Sequence, residues 1–139
     1  MTTQSNAALD FCIGVVRASA RLGRLFDGRL GAVHGIGLSD LAILLELDRS
    51  PEGRLRRVDL AERLGVTASA VTRALIPLEK IGIVTREPDR ADARVGYATL
   101  TATGRRILEE AVATAGETAA EVVSETAAAK CAGVIDRIG

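Results

Sequence analysis

Residues 58–75 fit one kind of local structure and exclude most others. In Val58-Asp59-Leu60-Ala61-Glu62-Arg63-Leu64, the residues Leu60, Ala61 and Leu64 give a short helix one apolar face. Gly65 permits the left-handed backbone that stops it, Val66 plugs the corner, and Thr67 is placed to cap a second helix. In that second helix Val71, Leu75 and Leu78 fall on one side, while Ser69, Thr72, Arg73, Ile76 and Lys80 cluster on the other. The outward side carries hydroxyls and a guanidinium, the chemistry that reads base edges in a major groove. Pro77 costs the helix a backbone hydrogen bond and is expected to kink or loosen it near its end.

After Gly82 the apolar period changes to two. Residues 83–87 and 95–100 read as strands flanking the polar stretch Pro88-Asp89-Arg90-Ala91-Asp92-Ala93-Arg94, a hairpin with a long charged tip. Arg54-Leu55-Arg56-Arg57 adds a short third strand. Upstream, Phe11, Val15, Ala18, Leu22 and Leu25 line one face of a long helix, and Leu9, Ile13, Val16 and Ala20 widen that stripe. So much apolar circumference needs cover on more than one side, and a second copy of the chain is the simplest cover. His34-Gly35-Ile36-Gly37 breaks the helix, Ser39 is a good cap for the next one through Leu41, Leu44, Leu45 and Leu47, and Ser50-Pro51-Glu52-Gly53 ends it with a turn. From Thr101 or Thr103 a last helical region runs through Ile107, Leu108, Ala111, Val112, Ala115, Ala119 and Val122, with a bend or break expected at Gly116 before a final helix through Val134 and Ile138. The fold class is therefore mainly α with a small β-hairpin (α+β).

Composition removes several functions. A chain of 139 residues is the size of one domain. Its aromatic residues are Phe11, Phe26 and Tyr97, too few for a base-stacking RNA sheet, a single-strand-binding barrel or an aromatic cage. No apolar run approaches the roughly 18 residues of a membrane span, and Met1-Thr2-Thr3-Gln4-Ser5-Asn6 has no basic region leading into a signal core, so a cytoplasmic protein away from the membrane is expected. Cys12 and Cys131 are too few and too far apart for a zinc site, and His34 is the only histidine. Neither a nucleophile with its base nor a phosphate-binding glycine loop can be assembled. No catalytic residue, metal site or cofactor is expected.

Charge is balanced overall, with 18 Lys+Arg against 18 Asp+Glu, which argues against a basic coat over the whole molecule. The balance is an average. Residues 1–53 hold 5 arginines against 6 acids, residues 54–106 hold 11 basic against 6 acidic, and residues 107–139 hold 2 against 6. An acidic, apolar scaffold thus flanks a basic centre.

Several of these segments together resemble the MarR (multiple antibiotic resistance regulator) family of bacterial transcription factors. The matching residues are Asp59-Leu60-Ala61-Glu62-Arg63-Leu64-Gly65-Val66-Thr67, Val71-Thr72-Arg73, Leu78-Glu79-Lys80-Ile81-Gly82-Ile83-Val84, and then Asp92-Ala93-Arg94 followed by Leu100-Thr101-Ala102-Thr103-Gly104. The helix-turn-helix part is only moderately specific. The Asp-x-Arg followed by Leu-Thr-x-x-Gly makes the match strong. The resemblance covers nearly the whole chain and implies a winged helix-turn-helix homodimer on an inverted-repeat DNA operator, usually a repressor released by a small, aromatic or phenolic ligand or by oxidation. It divides the chain into an N-terminal dimerisation helix (1–36), a DNA-binding domain (37–104) and C-terminal dimerisation helices (105–139).

Carried over residue by residue, the resemblance puts Thr67, Ser69, Ala70, Thr72 and Arg73 at bases or flanking phosphates of the major groove. Arg94 enters the minor groove, Asp92 orients it, and Arg90 meets phosphate at the wing tip. A guanidinium suits the narrow, negative minor groove, and a dimer must space its reading heads roughly 34–36 Å apart. Phe26 and His34 are the effector candidates, His34 because it ends the first helix where relatives often bind aromatic acids. One branch of the family senses hydroperoxides through a cysteine near the place of Cys12. Here Phe26 stands where a tyrosine of that branch is expected, so the favoured role of Cys12 is a buried small apolar side chain. The alternatives are a cysteine-based redox regulator and a winged-helix protein-interaction module that uses the Ile76/Lys80 face.

Overall fold

A computed structural model describes residues 4–92 and 94–139. Ala93, the middle residue of the Asp-x-Arg motif, and Met1-Thr2-Thr3 lie outside the described residues. The chain begins with a 28-residue helix, α1 (Ala7–His34), whose start is capped by Asn6 through its Oδ1, which accepts from Leu9 N at 3.2 Å. Gly35, at φ 70°, ends it in the left-handed conformation that glycine reaches without strain. Along this helix only Leu30 is buried. Its first half stands clear of the chain's own core, with Leu9, Phe11, Ile13 and Val16 exposed.

Helix α2 (Leu38–Asp48) forms the centre of the core through Leu41, Ile43, Leu44 and Leu47. Its cap differs from the expected Ser39. Gly37 is the cap residue, and its N–H donates to Asp40 Oδ2 at 2.9 Å; Asp27 of α1 accepts from Leu38 N at 2.8 Å. Two carboxylates placed at the positive end of the helix outcompete a hydroxyl there. A 3-10 turn (Pro51–Gly53) leads into strand β1 (Arg54–Arg56) and directly into α3 (Arg57–Leu64). Gly65, at φ 67°, closes α3, and Val66 N returns to Ala61 O at 3.0 Å.

Thr67 Oγ1 accepts from Ala70 N at 3.1 Å and so starts α4 (Ala68–Lys80). That helix runs through Pro77 as one element, with Val71, Leu75 and Leu78 buried against Leu60 and Ala61 of α3. Pro77 lies in its last turn, where few further bonds remain to be lost. Strands β2 (Val84–Pro88) and β3 (Gly96–Leu100) pair antiparallel, and β1 joins the other edge of β3, giving the order β1-β3-β2. The expected third strand is present.

Helix α5 (Ala102–Val122) is capped by Thr101, and α6 (Glu125–Ile138) by Ser124. The break between them lies at Val123–Ser124 and not at Gly116, which α5 passes through without interruption. Helix flanks rich in alanine outweigh the roughly 1 kcal/mol that one internal glycine costs, whereas Ser124 offers a cap that competes with helix continuation. None of the described helices is long and apolar enough to cross a membrane alone. The six helices and three-stranded antiparallel sheet make the mainly α winged helix-turn-helix expected above.

Candidate nucleic-acid interface

The segment Leu100-Thr101-Ala102-Thr103-Gly104 acts as a structural joint. Thr101 Oγ1 lies 2.6 Å from Gly82 O and 2.9 Å from Ile83 O, and donates to that pair while accepting from Gly104 N at 3.0 Å. One hydroxyl thereby caps α5 and fastens it to the chain entering β2. Gly104 is buried, and a Cβ there would collide with the Ile83 carbonyl, so only glycine lets α5 approach this closely.

From this joint the wing projects, and its tip is closed by two aspartates. Asp89 Oδ1 accepts from Ala91 N at 2.8 Å, and Asp92 Oδ1 accepts from Arg94 N at 3.0 Å. Arg94 returns its side chain to the same acid, Nε to Oδ1 at 3.0 Å and Nη2 to Oδ2 at 3.1 Å. This bidentate fork leaves the Arg94 side chain 91% exposed yet oriented. Hydrogen bonds from the Arg94 guanidinium, and then from its backbone N–H, hold the Asp92 carboxyl below the usual carboxylate range. Asp89 is likewise held low, chiefly by the Ala91 N–H. Arg90 sits exposed within the first of these turns.

On α4, Ser69, Arg73, Ile76 and Lys80 are exposed and Thr72 is half-buried, so five side chains at helical spacing form one outward face. Thr67 spends its acceptor on the cap. Ala70 is half-buried and lines a mainly apolar cavity of about 340 Å³ with Ile43, Leu64, Val66 and Val71, between α2 and the helix-turn-helix. Val66 borders this cavity and remains half exposed, so it covers the corner only in part.

The two effector candidates are not brought together. His34 Nε2 lies 2.7 Å from Thr114 Oγ1 and ties the end of α1 to α5. Phe26 faces a separate groove of about 520 Å³ that it shares with Leu22, Val122, Cys131 and Ile135. Cys12 is exposed on the surface of the chain, which corrects the expectation of a buried side chain, because the first half of α1 has no buried residue. Cys131 is also free and exposed. Among the described residues no cluster of His, Cys, Asp or Glu could hold a metal ion.

Sequence reasoning overlooked the arginines at the base of the wing. Arg54 stacks over the Tyr97 ring at 4.4 Å and pairs with Glu52 at 2.9 Å, and the Tyr97 hydroxyl donates to Asp89 Oδ2 at 3.3 Å. The run Arg54-Leu55-Arg56-Arg57 was the available signal, since three guanidiniums in four residues exceed what a short edge strand needs.

No curated protein matches the chain by sequence. A family model described as "MarR family" matches residues 34–95, from the end of α1 to the wing. Among solved structures, the transcriptional regulator MOSR of M. tuberculosis in complex with DNA is 32% identical, over 80% of this chain and 78% of that one, with a TM-score of 0.70. This chain belongs to the MarR family. Two further structures extend the likeness to nearly the whole length. BldR from Sulfolobus solfataricus is 25% identical over 99% of this chain and 98% of its own, with a TM-score of 0.85. Sco3205 from Streptomyces coelicolor, a MarR family transcriptional regulator in complex with DNA, is 26% identical over 99% and 89%, at 0.78. The chain is a MarR-family transcriptional regulator, and the sequence match to the family covers the arginine-rich centre where α4 and the wing lie.

Proposed function

We propose that this MarR-family chain is a DNA-binding repressor that grips an inverted-repeat operator as a homodimer and is released by a small aromatic or phenolic ligand. Residues 37–104 form the reading head in this proposal, and residues 1–36 and 105–139 the dimer scaffold. The observation that carries it is Arg94, held by Asp92 at the tip of a projecting hairpin with nine-tenths of its side chain in solvent. An exposed ion pair contributes little stability, so a rigid, outward guanidinium is better explained by a partner with negative charge. DNA in the MOSR and Sco3205 complexes supports that partner.

Dimerisation is supported by surface arithmetic. The chain exposes 9537 Å² at 14.5 kDa, whereas a compact monomer of that mass exposes about 6,900 Å². The excess is roughly what one protomer of a large obligate dimer buries. Helix α6 has no buried residue, and α1 leaves Leu9, Phe11, Ile13, Val16 and Val33 exposed. For the effector, the apolar groove beside Phe26 is of a size for a small aromatic molecule.

The test is a gel-shift comparison on a duplex selected from a random pool. Arg94→Ala should weaken binding to the selected site and to unrelated duplex alike, whereas Ser69→Ala or Arg73→Ala should change which sequences are preferred. Unchanged affinity of Arg94→Ala at moderate salt would remove the wing from the interface. Aromatic acids and phenols are then screened for release of the selected site.

A further inference from the structure

A pocket of about 360 Å³ opens between the start of α3 and the base of the wing, lined by Arg56, Arg57, Arg86 and Arg94 with Val58 and Gly96. No carboxylate lines it among the described residues. Three of the arginines are tied back to acids outside the pocket: Arg56 to Asp89 at 3.7 Å, Arg57 to Glu79 at 3.5 Å and Arg94 to Asp92 at 3.0 Å. A guanidinium carries five N–H donors, so each tie leaves donors for another acceptor. Arg86 has no ion pair among the described residues. Arg57 Nε is buried and lacks a hydrogen-bond partner among them, an uncommon condition for a charged donor.

Two backbone features shape the same place. The guanidinium of Arg86 lies against Gly96 of β3, where a Cβ would stand 3.3 Å from its Nε and 3.6 Å from its Nη2 and would push it aside by a few tenths of an ångström. Helix α3 begins beside it with no side chain capping its N-terminus, so the positive end of the helix adds to the four guanidiniums. With Arg86 unpaired among the described residues and free N–H donors left on the other three, the pocket wall favours an anion. The planar, forked donors of arginine match phosphate oxygens, and no base-specific pattern of donors and acceptors accompanies them.

We propose that this pocket seats one backbone phosphate of duplex DNA, fixing the height and tilt of the wing so that Arg94 meets its groove. The proposal rests on the DNA-binding reading above, and makes Arg57 and Arg86 positioning residues. The experiment measures duplex affinity by fluorescence anisotropy across a salt series for the wild-type protein, Arg86→Gln and Gly96→Ala, on the selected duplex and on an unselected one. Both variants should melt as the wild type does and weaken each duplex by the same factor; Arg86→Gln, which removes one phosphate contact from each half-site, should flatten the slope of log affinity against log salt by about two units, and Gly96→Ala, which displaces that guanidinium, by less. A scan of single neutral methylphosphonates along the selected duplex should then find one linkage per half-site that weakens the wild type but not Arg86→Gln.

An unchanged slope in both variants, or a change in base preference, overturns the seat while leaving DNA binding intact. A wild-type protein with no salt-dependent duplex affinity overturns the DNA reading itself and the seat with it. Inorganic phosphate and pyrophosphate are titrated at constant ionic strength as the remaining arm. Tight binding of either by the wild type, lost in Arg86→Gln without loss of duplex affinity, would make the occupant a free anion and overturn the assignment to DNA.

Discussion

Asp92 orients Arg94 through three hydrogen bonds, two from the side chain and one from the backbone, and that geometry sets how the wing responds to pH. The Asp92 carboxyl titrates below its usual value in the folded protein, so the pairing is complete above the ordinary aspartate pKa of about 3.9 and is lost only as pH falls through the lower, folded value. DNA affinity that depends on Arg94 should therefore not change with Asp92 ionisation between pH 8 and about 5. A carboxyl-detected NMR titration checks this, and a midpoint for Asp92 at or above the ordinary value would refute the pairing. The pairing of Asp92 with Arg94 was legible from the resemblance alone. The base of the wing was not, because Arg86 lies 29 residues after Arg57 and only the pairing of β1 and β2 on the two edges of β3 brings the two to one pocket. Cys12 was misjudged for a related reason: an apolar helical stripe signals burial, but not whether the same chain or another provides it.

At the level of elements, the helix-turn-helix, both wing strands and the third strand were readable because each has a local cause: a glycine at positive φ, a capping threonine, or a period of two. Boundaries decided by competition were harder. Whether Ser39 or Gly37 caps α2 depends on Asp27, a side chain delivered by another helix, and Gly116 gave way to the helix propensity around it. The joint of α5 with β2 is the most demanding contact between elements, since the Gly104 backbone lies against the Ile83 carbonyl. In Gly104→Ala the new methyl must displace that carbonyl and also meets Leu100 Cδ1 at 2.9 Å. Such overpacking should cost about 1–3 kcal/mol, read as an earlier denaturant midpoint with an unchanged slope. Wild-type stability in this variant would show that the joint is looser than its hydrogen bonds imply.

For the whole molecule, the proposed dimer depends on apolar side chains that the single chain leaves in water, Val134, Ile135 and Ile138 on α6 together with Leu9, Phe11, Ile13 and Val16 on α1. Ile135→Glu would place an unpaired carboxylate in that contact. It should weaken the dimer by about 3 kcal/mol, roughly 100-fold, and lower operator affinity in parallel. Sedimentation equilibrium measures the first effect and gel shift the second; a variant that stays dimeric would move the interface elsewhere. The joint at Thr101 and Gly104 gives this arrangement a mechanical meaning. Helix α5 is a rod of 21 residues, about 31 Å long, pinned at one end to the root of the wing. A shift of about 2 Å where its far end meets α6 corresponds to a tilt of roughly 4° for a rod of that length. In the proposed dimer, the close joint at Gly104 would pass such a tilt on to the hairpin, so that a small displacement of α6 would change where Arg94 points.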